Sequence, residues 1–227
     1  MKTTLRWAAL FLALVQMGAV AMLFNAASGG TAPAAAAETA RPVRVVAFGD
    51  SLTAGYGLSQ GDAFPAQLER ALKARGVSAV IANAGVSGDT SGDGLRRLDW
   101  SIPEGTQAVI VELGANDALR GIDPELTRSA LDKILGRLAA RKIRVLLAGM
   151  KAPANWGADY AKRFDAIYPE LASKHGAELY PFFLDGVIGQ PGLNLPDGLH
   201  PQPAGVAEIV RRMLPAVEKL VASVPAS

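Results

Sequence analysis

The chain has 227 residues, of which 50% are hydrophobic and 19% charged, a composition that can form a full hydrophobic core and excludes intrinsic disorder as the main state. It contains no cysteine and two histidines, which excludes disulfides, a cysteine nucleophile and thiolate metal ligands and leaves little for a histidine-rich metal centre. All 21 acidic residues and all but two of the 23 basic residues lie at or after position 38, so the body has no net charge and nothing indicates the basic face that nucleic-acid binding requires.

The first 37 residues have the three-part pattern of a secretory signal peptide. Lys2 and Arg6 give a positive start, residues 7–24 form an apolar run of 18 residues, and a tract of small residues at 26–37 offers A-x-A cleavage sites. An uncleaved membrane anchor is the alternative, because a run of this length is near the minimum that spans a bilayer. In both cases we expect the body to work outside the cytoplasm, in the periplasm or secreted, with any membrane contact confined to this segment.

From residue 43 the chain alternates between short apolar runs and amphipathic stretches. Runs rich in Val, Ile and Leu at consecutive positions are typical of strands buried on both faces of a parallel sheet, and their alternation with helices predicts a doubly wound α/β domain. The five predicted strands are residues 43–48, 79–83, 108–113, 144–148 and 178–182. The five predicted helices are residues 63–75, 92–98, 124–141, 160–175 and 204–221. We predict one domain over residues 43–222, preceded by a linker at 38–42.

Local signals support the ends of these helices. Asp123 is a favourable N-cap and is followed by Pro124 at the first helical position. Gly76 and Gly176 each follow a helix whose last turn is basic, which is where glycine commonly ends a helix. His175 lies in such a last turn, where we interpret it as a residue that complements the helix dipole.

Four clusters of polar residues and glycine follow the predicted strands or lie on the last loop. They occupy residues 49–57, 83–90, 114–117 and 197–201. Ligands of doubly wound sheets bind beyond the carboxyl ends of the strands, so these clusters are the expected place for a functional site.

Two of the clusters contain the groups that nucleophilic catalysis needs. Ser51 follows the first strand, where its hydroxyl would be open to a base; the alternative is that it caps the next helix. His200 lies in a loop three residues after Asp197, and a carboxylate at that spacing can bind Nδ1–H and leave Nε2 free as the base. The alternative for Asp197 is a local turn without a catalytic role.

Three hydrogen-bond donors could stabilise the anionic oxygen of a tetrahedral intermediate. They are the backbone N–H groups of Ser51 and Gly85 and the side-chain amide of Asn116, which follows a strand and a glycine. Gly85 and Asn116 could each equally be an ordinary turn residue.

The four clusters resemble the sequence blocks of the SGNH (GDSL) hydrolases over residues 43–221. The matching stretches are Phe48-Gly49-Asp50-Ser51-Leu52, Gly85, Gly114-x-Asn116-Asp117 and Asp197-x-x-His200-Pro201. The similarity is strongest to the bacterial thioesterase, arylesterase and lysophospholipase branch, whose members are typically periplasmic. The resemblance implies a flavodoxin-like three-layer α/β/α fold, the triad Ser51, Asp197 and His200, and an oxyanion hole from Ser51, Gly85 and Asn116.

Residues and resemblance together predict a monomeric serine hydrolase that cleaves small carboxylic esters or thioesters through an acyl-enzyme, without a metal or cofactor. By analogy with the family, Leu119, Ala152, Pro153 and Trp156 could line an acyl-chain groove; loop packing is the alternative for them. Two other functions are kept open: a carbohydrate O-acetyl esterase that uses the same groups, and a non-catalytic binding module.

Overall fold

The computed structural model describes residues 41–225. The predicted signal peptide at 1–37 and the first three residues of the predicted linker lie outside the described residues. Regular structure starts at Val43, directly after the predicted linker. Within residues 41–225, no helix combines the length and the hydropathy that crossing a bilayer requires.

Five parallel strands form one sheet in the order β2-β1-β3-β4-β5, which confirms the predicted α/β class. The strands are β1 (Val43–Gly49), β2 (Ala79–Gly85), β3 (Ala108–Glu112), β4 (Arg144–Ala148) and β5 (Glu178–Tyr180). The chain passes from β1 to β2 at one edge and then returns to β3 on the other side of β1. A crevice therefore opens beyond the carboxyl ends of β1 and β3, where the direction of the connections reverses.

Helices cover both faces of the sheet. They are α1 (Ser51–Ala54), α2 (Phe64–Ala74), α3 (Ser91–Ser101), α4 (Ala115–Leu119), α5 (Pro124–Ala140), α6 (Ala158–Asp165), α7 (Ile167–His175) and α8 (Pro203–Ala222). α2 packs against α8, whereas α3 and α7 both pack against α5, so the fold has the three predicted layers. The short helices α1 and α4, which the sequence did not predict, follow β1 and β3 directly and face the crevice.

Several local predictions are confirmed. The Asp123 side chain caps α5 by accepting a hydrogen bond from the Glu125 N–H at 3.1 Å, and Pro124 is the first helical residue. Gly176 ends α7 in the left-handed region with φ of 62°. The boundaries of the other predicted elements differ from the structure by up to three residues.

The helix predicted over residues 160–175 is wrong as a single element, because the structure contains two helices there. α6 ends at Asp165 and α7 begins at Ile167, with Ala166 between them. Pro169 has no N–H and its ring would clash with the carbonyl of Asp165 in a continuous helix, which accounts for the break.

Burial on both faces holds for the central strands but not for β2. All five residues of β3 are buried, whereas β2 is mostly half-buried or exposed, and its Val80 is 42% exposed. β2 is an edge strand, so the burial on both faces predicted from its apolar run is wrong, and part of its surface is open to solvent.

Candidate active site

Ser51 is the first residue of α1 and follows a single-residue turn after β1. The N-cap is Asp50, whose Oδ1 accepts a hydrogen bond from the Leu52 N–H at 3.0 Å. The interpretation of Ser51 as a helix cap is therefore wrong, and its hydroxyl is not used by the helix. Gly49 makes this turn possible, since a Cβ there would lie 2.6 Å from the Glu112 carbonyl oxygen.

His200 meets Ser51 although 149 positions separate them in sequence. Its Nε2 lies 2.9 Å from Ser51 Oγ, and its Nδ1 lies 2.7 Å from Asp197 Oδ2. A carboxylate at Nδ1 keeps the hydrogen on that nitrogen and leaves Nε2 as an acceptor for the serine hydroxyl. The three side chains thus form one hydrogen-bonded row in the order predicted for a triad.

Asp197 forms the local turn and contacts the imidazole at the same time. Its Oδ1 accepts hydrogen bonds from the backbone N–H of His200 at 3.0 Å and of Leu199 at 2.9 Å, while Oδ2 faces His200 Nδ1. These backbone hydrogen bonds lower the pKa of Asp197 to about 2, so it stays ionised at any pH where the imidazole is neutral. One side chain thus forms the turn and also contacts the imidazole.

Aromatic packing also holds His200 in place. The Tyr56 ring, in the loop after α1, lies 4.5 Å from the imidazole centroid, a contact that the sequence did not suggest. The other histidine is elsewhere: His175 Nε2 lies 2.6 Å from Asp132 Oδ1 on α5.

Asn116, at the start of α4, points its amide at the carboxyl edge of the sheet. Nδ2 donates to Asp50 Oδ2 at 3.1 Å and to the Asp89 carbonyl at 3.0 Å. Gly114 allows this approach, because its φ of 113° brings the chain sharply from β3 into α4. Both amide hydrogens have acceptors in this structure, so an oxyanion would take the place of one of them.

Gly85 does not fit the role predicted for it. Its N–H donates to Asn83 Oδ1 at 2.9 Å, so this donor is already used. A Cβ at Gly85 would lie 2.3 Å from the Ala54 nitrogen, which means that glycine is required here for the close packing of β2 on α1. The direction of this backbone N–H is fixed by β2, whereas the Asn116 side-chain amide can turn, so the prediction of Gly85 as an oxyanion donor is wrong.

Gly88 is the better placed glycine. It lies in the loop between β2 and α3 with φ of 89°, one residue before the Asp89 whose carbonyl binds Asn116. Its carbonyl accepts a hydrogen bond from Arg120 at 2.8 Å, and its N–H donates to no acceptor among residues 41–225. The sequence contained this glycine three positions after Gly85 but held no signal to prefer it.

Arg97 ties the ends of β1 and β2 to this loop. Its side chain is buried and donates to the Gly49 carbonyl at 2.8 Å, to the Ala84 carbonyl at 2.9 Å and to Asp89 Oδ2 at 2.5 Å. One guanidinium thus binds the ends of two strands and the loop that carries Gly88. These hydrogen bonds hold the three backbone segments together at the crevice.

Two carboxyl groups are buried side by side beneath the Ser51 turn. Asp50 and Glu112 are fully buried, and Glu112 Oε2 accepts hydrogen bonds from Thr53 Oγ1 at 2.7 Å and from the Asp50 N–H at 3.4 Å. Burial raises the pKa of Asp50 to about 6, and burial together with the nearby Asp50 charge raises the pKa of Glu112 well above its usual value. Both shifts favour a proton that the pair retains in the folded protein.

Glu112→Gln is expected to gain stability relative to the natural protein as the pH rises above about 5. In the unfolded chain Glu112 loses its proton near its ordinary pKa of 4.5, whereas in the folded protein the pair retains it. Folding that binds one extra proton loses about 1.4 kcal/mol per pH unit, and glutamine does not titrate. Urea unfolding of both proteins at pH 5, 6 and 7 measures the difference. Glu104→Gln, in an exposed loop, is the matched control, and a pH-independent difference for Glu112→Gln would contradict the shared proton.

An apolar groove of about 380 Å³ opens beside Ser51 and His200. Leu119, Ala152 and Pro153 line it, as predicted. The remaining lining residues were not predicted: Leu52, Ala115, Asn116, Ala118, Met150, Lys151, Phe182, Leu184, Ile188 and Leu199. Most of the groove residues lie in the loops after β4 and β5, far in sequence from Ser51. A local sequence pattern therefore does not identify the groove.

Trp156 is the exception among the predicted groove residues, because it does not line the groove. Its Nε1 donates to the Ala118 carbonyl at 2.7 Å, and its ring packs beside Tyr160 and Gly121. The indole supports α4 from behind, which is the loop packing given as the alternative. Among residues 41–225, no three histidine or carboxylate side chains are placed to hold a metal ion.

Fold and geometry together define the class of the protein: a three-layer α/β/α domain with a serine, histidine and aspartate row at the carboxyl edge of its sheet. The sequence profile of the GDSL-like lipase/acylhydrolase family matches residues 47–207, so the chain belongs to this family. The membership predicted from the four sequence blocks is confirmed.

Characterised relatives are similar over most of their length. The arylesterase of Vibrio mimicus is 38% identical over 175 residues, which cover 75% of this chain and 88% of that protein. Thioesterase 1/protease 1/lysophospholipase L1 of Escherichia coli strain K12 is 40% identical over 169 residues, which cover 74% and 77%. The crystal structure of AlinE4, an SGNH-hydrolase family esterase, matches with 49% identity and a TM-score of 0.67, covering 79% of this chain and 96% of that one.

Proposed function

We propose that the protein hydrolyses acyl esters and thioesters through a covalent acyl-enzyme on Ser51. His200 Nε2 takes the hydroxyl proton as Oγ attacks the carbonyl carbon, and then gives it to the departing alcohol or thiol. A water molecule, deprotonated by the same nitrogen, attacks the acyl-enzyme and releases the carboxylic acid and free serine. Asp197 holds the imidazole and stabilises its cation. The 2.9 Å contact between His200 Nε2 and Ser51 Oγ carries this proposal.

The negative charge on the carbonyl oxygen of the intermediate would be bound by three donors. They are the N–H of Ser51, at the first position of α1, the N–H of Gly88 and the Asn116 amide. Asn116 would turn one hydrogen from the Asp89 carbonyl to the oxyanion and keep the other on Asp50. Every charge that develops has a partner from the chain, so the proposed steps need no cofactor.

The groove favours substrates with an acyl chain longer than acetyl. Its walls beside Ser51 are mostly aliphatic and aromatic, and each methylene buried there contributes about 0.8 kcal/mol. An acetyl group would leave most of the 380 Å³ empty, which makes a carbohydrate O-acetyl esterase the less well supported alternative. The names of the relatives, which include arylesterase and thioesterase, agree with hydrolysis of esters and thioesters.

A panel of p-nitrophenyl esters from acetate to dodecanoate tests this function. Burial of four further methylenes predicts that kcat/KM rises on the order of 10²-fold from acetate to hexanoate. A fluorophosphonate is expected to add one adduct, located on Ser51 by peptide mass spectrometry. A maximum at acetate with turnover of acetylated glycans would indicate the carbohydrate esterase, and neither turnover nor an adduct would indicate a binding module.

We also propose that the enzyme acts outside the cytoplasm after residues 1–37 are removed. The support is the sequence pattern of that segment. Mass spectrometry of the protein released from the periplasm or medium is expected to find a new N-terminus near residue 38, whereas an intact Met1 in the membrane fraction would indicate the anchor.

A further inference from the structure

Glu112 is a buried acid for which the proposed reaction has no direct use. It ends β3 and pairs in register with Gly49 of β1, which places it under the turn that carries Ser51. Its Oε2 accepts the hydrogen bonds from Thr53 and the Asp50 N–H described above, but Oε1, equally buried, has no donor among residues 41–225. An ionised carboxylate with an unsatisfied buried oxygen is strongly disfavoured, so this oxygen needs either a donor or a proton.

The neighbouring Asp50 is the acceptor that such a proton would reach. Its two oxygens accept hydrogen bonds from the Leu52 N–H at 3.0 Å and from Asn116 Nδ2 at 3.1 Å, and both favour the charged form of Asp50. The Asp50 N–H donates to Glu112 Oε2 at 3.4 Å, which places the two acids side by side. With one proton on Glu112, the two acids bind each other instead of repelling, and no polar atom of the pair is left unsatisfied.

We propose that Glu112 is a positioning residue for the oxyanion hole: as a neutral acid it donates a hydrogen bond to the Asp50 carboxylate, and Asp50 in turn holds the Asn116 amide. The proposal rests on the proposed function, because the orientation of Asn116 matters only if it binds the oxyanion. Asn116 lies on a five-residue helix after a glycine, so the Asp50 oxygen is the fixed point that sets the direction of its amide. Loss of that direction weakens a transition-state contact without affecting substrate binding, which lowers kcat and leaves KM unchanged.

Two substitutions at Glu112 separate proton donation from simple space filling. Glu112→Gln keeps a neutral N–H donor toward Asp50 and an oxygen toward Thr53, so kcat for p-nitrophenyl butyrate is expected to stay within about threefold of the natural protein. Glu112→Met has a similar length but no donor, and we expect kcat to fall about 10- to 50-fold with KM changed less than twofold. A methionine variant as active as the glutamine variant, or a glutamine variant that loses more than tenfold, overturns the proposal.

A double-mutant cycle tests whether Glu112 acts through Asn116. Asn116→Ala alone is expected to lower kcat on the order of 10²- to 10³-fold, the usual cost of an oxyanion donor. If Glu112 only positions that amide, Glu112→Met in the Asn116→Ala background lowers kcat by less than about threefold. The same 10- to 50-fold loss in both backgrounds would show that Glu112 acts elsewhere.

Stability effects are controlled with Val109→Ala, a buried position of the same strand with no polar contact to the site. It is expected to lower Tm while kcat remains unchanged. If Glu112→Met does not fold, the test uses Glu112→Gln alone. Retained kcat together with an unshifted Asn116 side-chain amide signal in a ¹H–¹⁵N spectrum supports the proposal. A loss of kcat together with a shifted amide signal contradicts it. Failure of the proposed function would look different, as absence of ester turnover by the natural protein.

Discussion

Ser51→Ala is expected to lower kcat for p-nitrophenyl butyrate by a factor on the order of 10⁵–10⁶ and to abolish labelling by a fluorophosphonate. The acyl-enzyme cannot form without Oγ, and the donors of the oxyanion hole alone recover only a small part of the rate. The described contact of the Ser51 hydroxyl is with His200 Nε2, and α1 is capped by Asp50, so little of the fold depends on the hydroxyl.

Structure and substrate binding should therefore survive this substitution. We expect the Tm of Ser51→Ala to stay close to that of the natural protein, and an ester that is no longer cleaved to bind with an affinity near KM. Ser173→Ala, at an exposed position of α7, is the matched control and should leave kcat unchanged. Residual activity within a factor of 100 of the natural protein, together with continued phosphonylation, would identify another nucleophile.

Asp197→Asn is expected to lower kcat by about 10³- to 10⁴-fold with little effect on the loop. The asparagine oxygen can still accept the backbone N–H groups of Leu199 and His200, which preserves the turn. Its NH₂ group would then face Nδ1, and the imidazole would respond by moving its hydrogen to Nε2. Nε2–H and the Ser51 hydroxyl would both be donors, so the proton could not leave Ser51.

Steady-state kinetics on p-nitrophenyl butyrate measure this effect, with Tm as the check on folding. Asp185→Asn, which removes an exposed carboxylate that pairs with Arg212, is the matched control and should retain full kcat. Asp197→Ala should lower Tm more than Asp197→Asn, because it also removes both backbone hydrogen bonds. A loss below tenfold for Asp197→Asn would mean that the 2.7 Å contact between Oδ2 and Nδ1 does not govern the tautomer.

The row of Ser51, His200 and Asp197 could be predicted because each part leaves a local signal. Asp197 and His200 lie three residues apart on one turn, so their contact needs no tertiary information. Ser51 follows a buried strand, and the topology of parallel sheets brings such positions to one edge. A contact between Ser51 and His200 then requires only that the loop with His200 lies at the same edge.

The groups around this row were harder to predict because they depend on side-chain contacts that no sequence pattern specifies. Gly85 was predicted as a donor, but the Asn83 side chain occupies its N–H, whereas the N–H of Gly88, three positions later, has no acceptor among residues 41–225. Trp156 was predicted to line the groove, but its indole N–H donates to the Ala118 carbonyl instead. Glu112 lies within the predicted strand 108–113 and was not singled out, but its register with β1 places it beneath the serine.

Two prolines inside helical patterns show the same limit. Pro169 lies where α6 and α7 separate, whereas α8 continues through Pro215. The residue chemistry is identical, so the difference lies in packing: Met213 and Val217, on either side of Pro215, are buried, and α8 packs on β4 and β5.

By itself, the sequence determined the α/β class, the order of the strands and helices along the chain, and the serine, histidine and aspartate of the site. These follow from apolar periodicity, capping residues and turn chemistry, which act between neighbours along the chain. The tertiary structure alone decided which backbone N–H remains free, which side chains line the groove and which acid lies under the nucleophile. The groove lining and the buried acid depend on contacts between segments far apart in sequence, such as that of Thr53 with Glu112. The free N–H depends on where the Asn83 side chain turns, and no local pattern encodes either outcome.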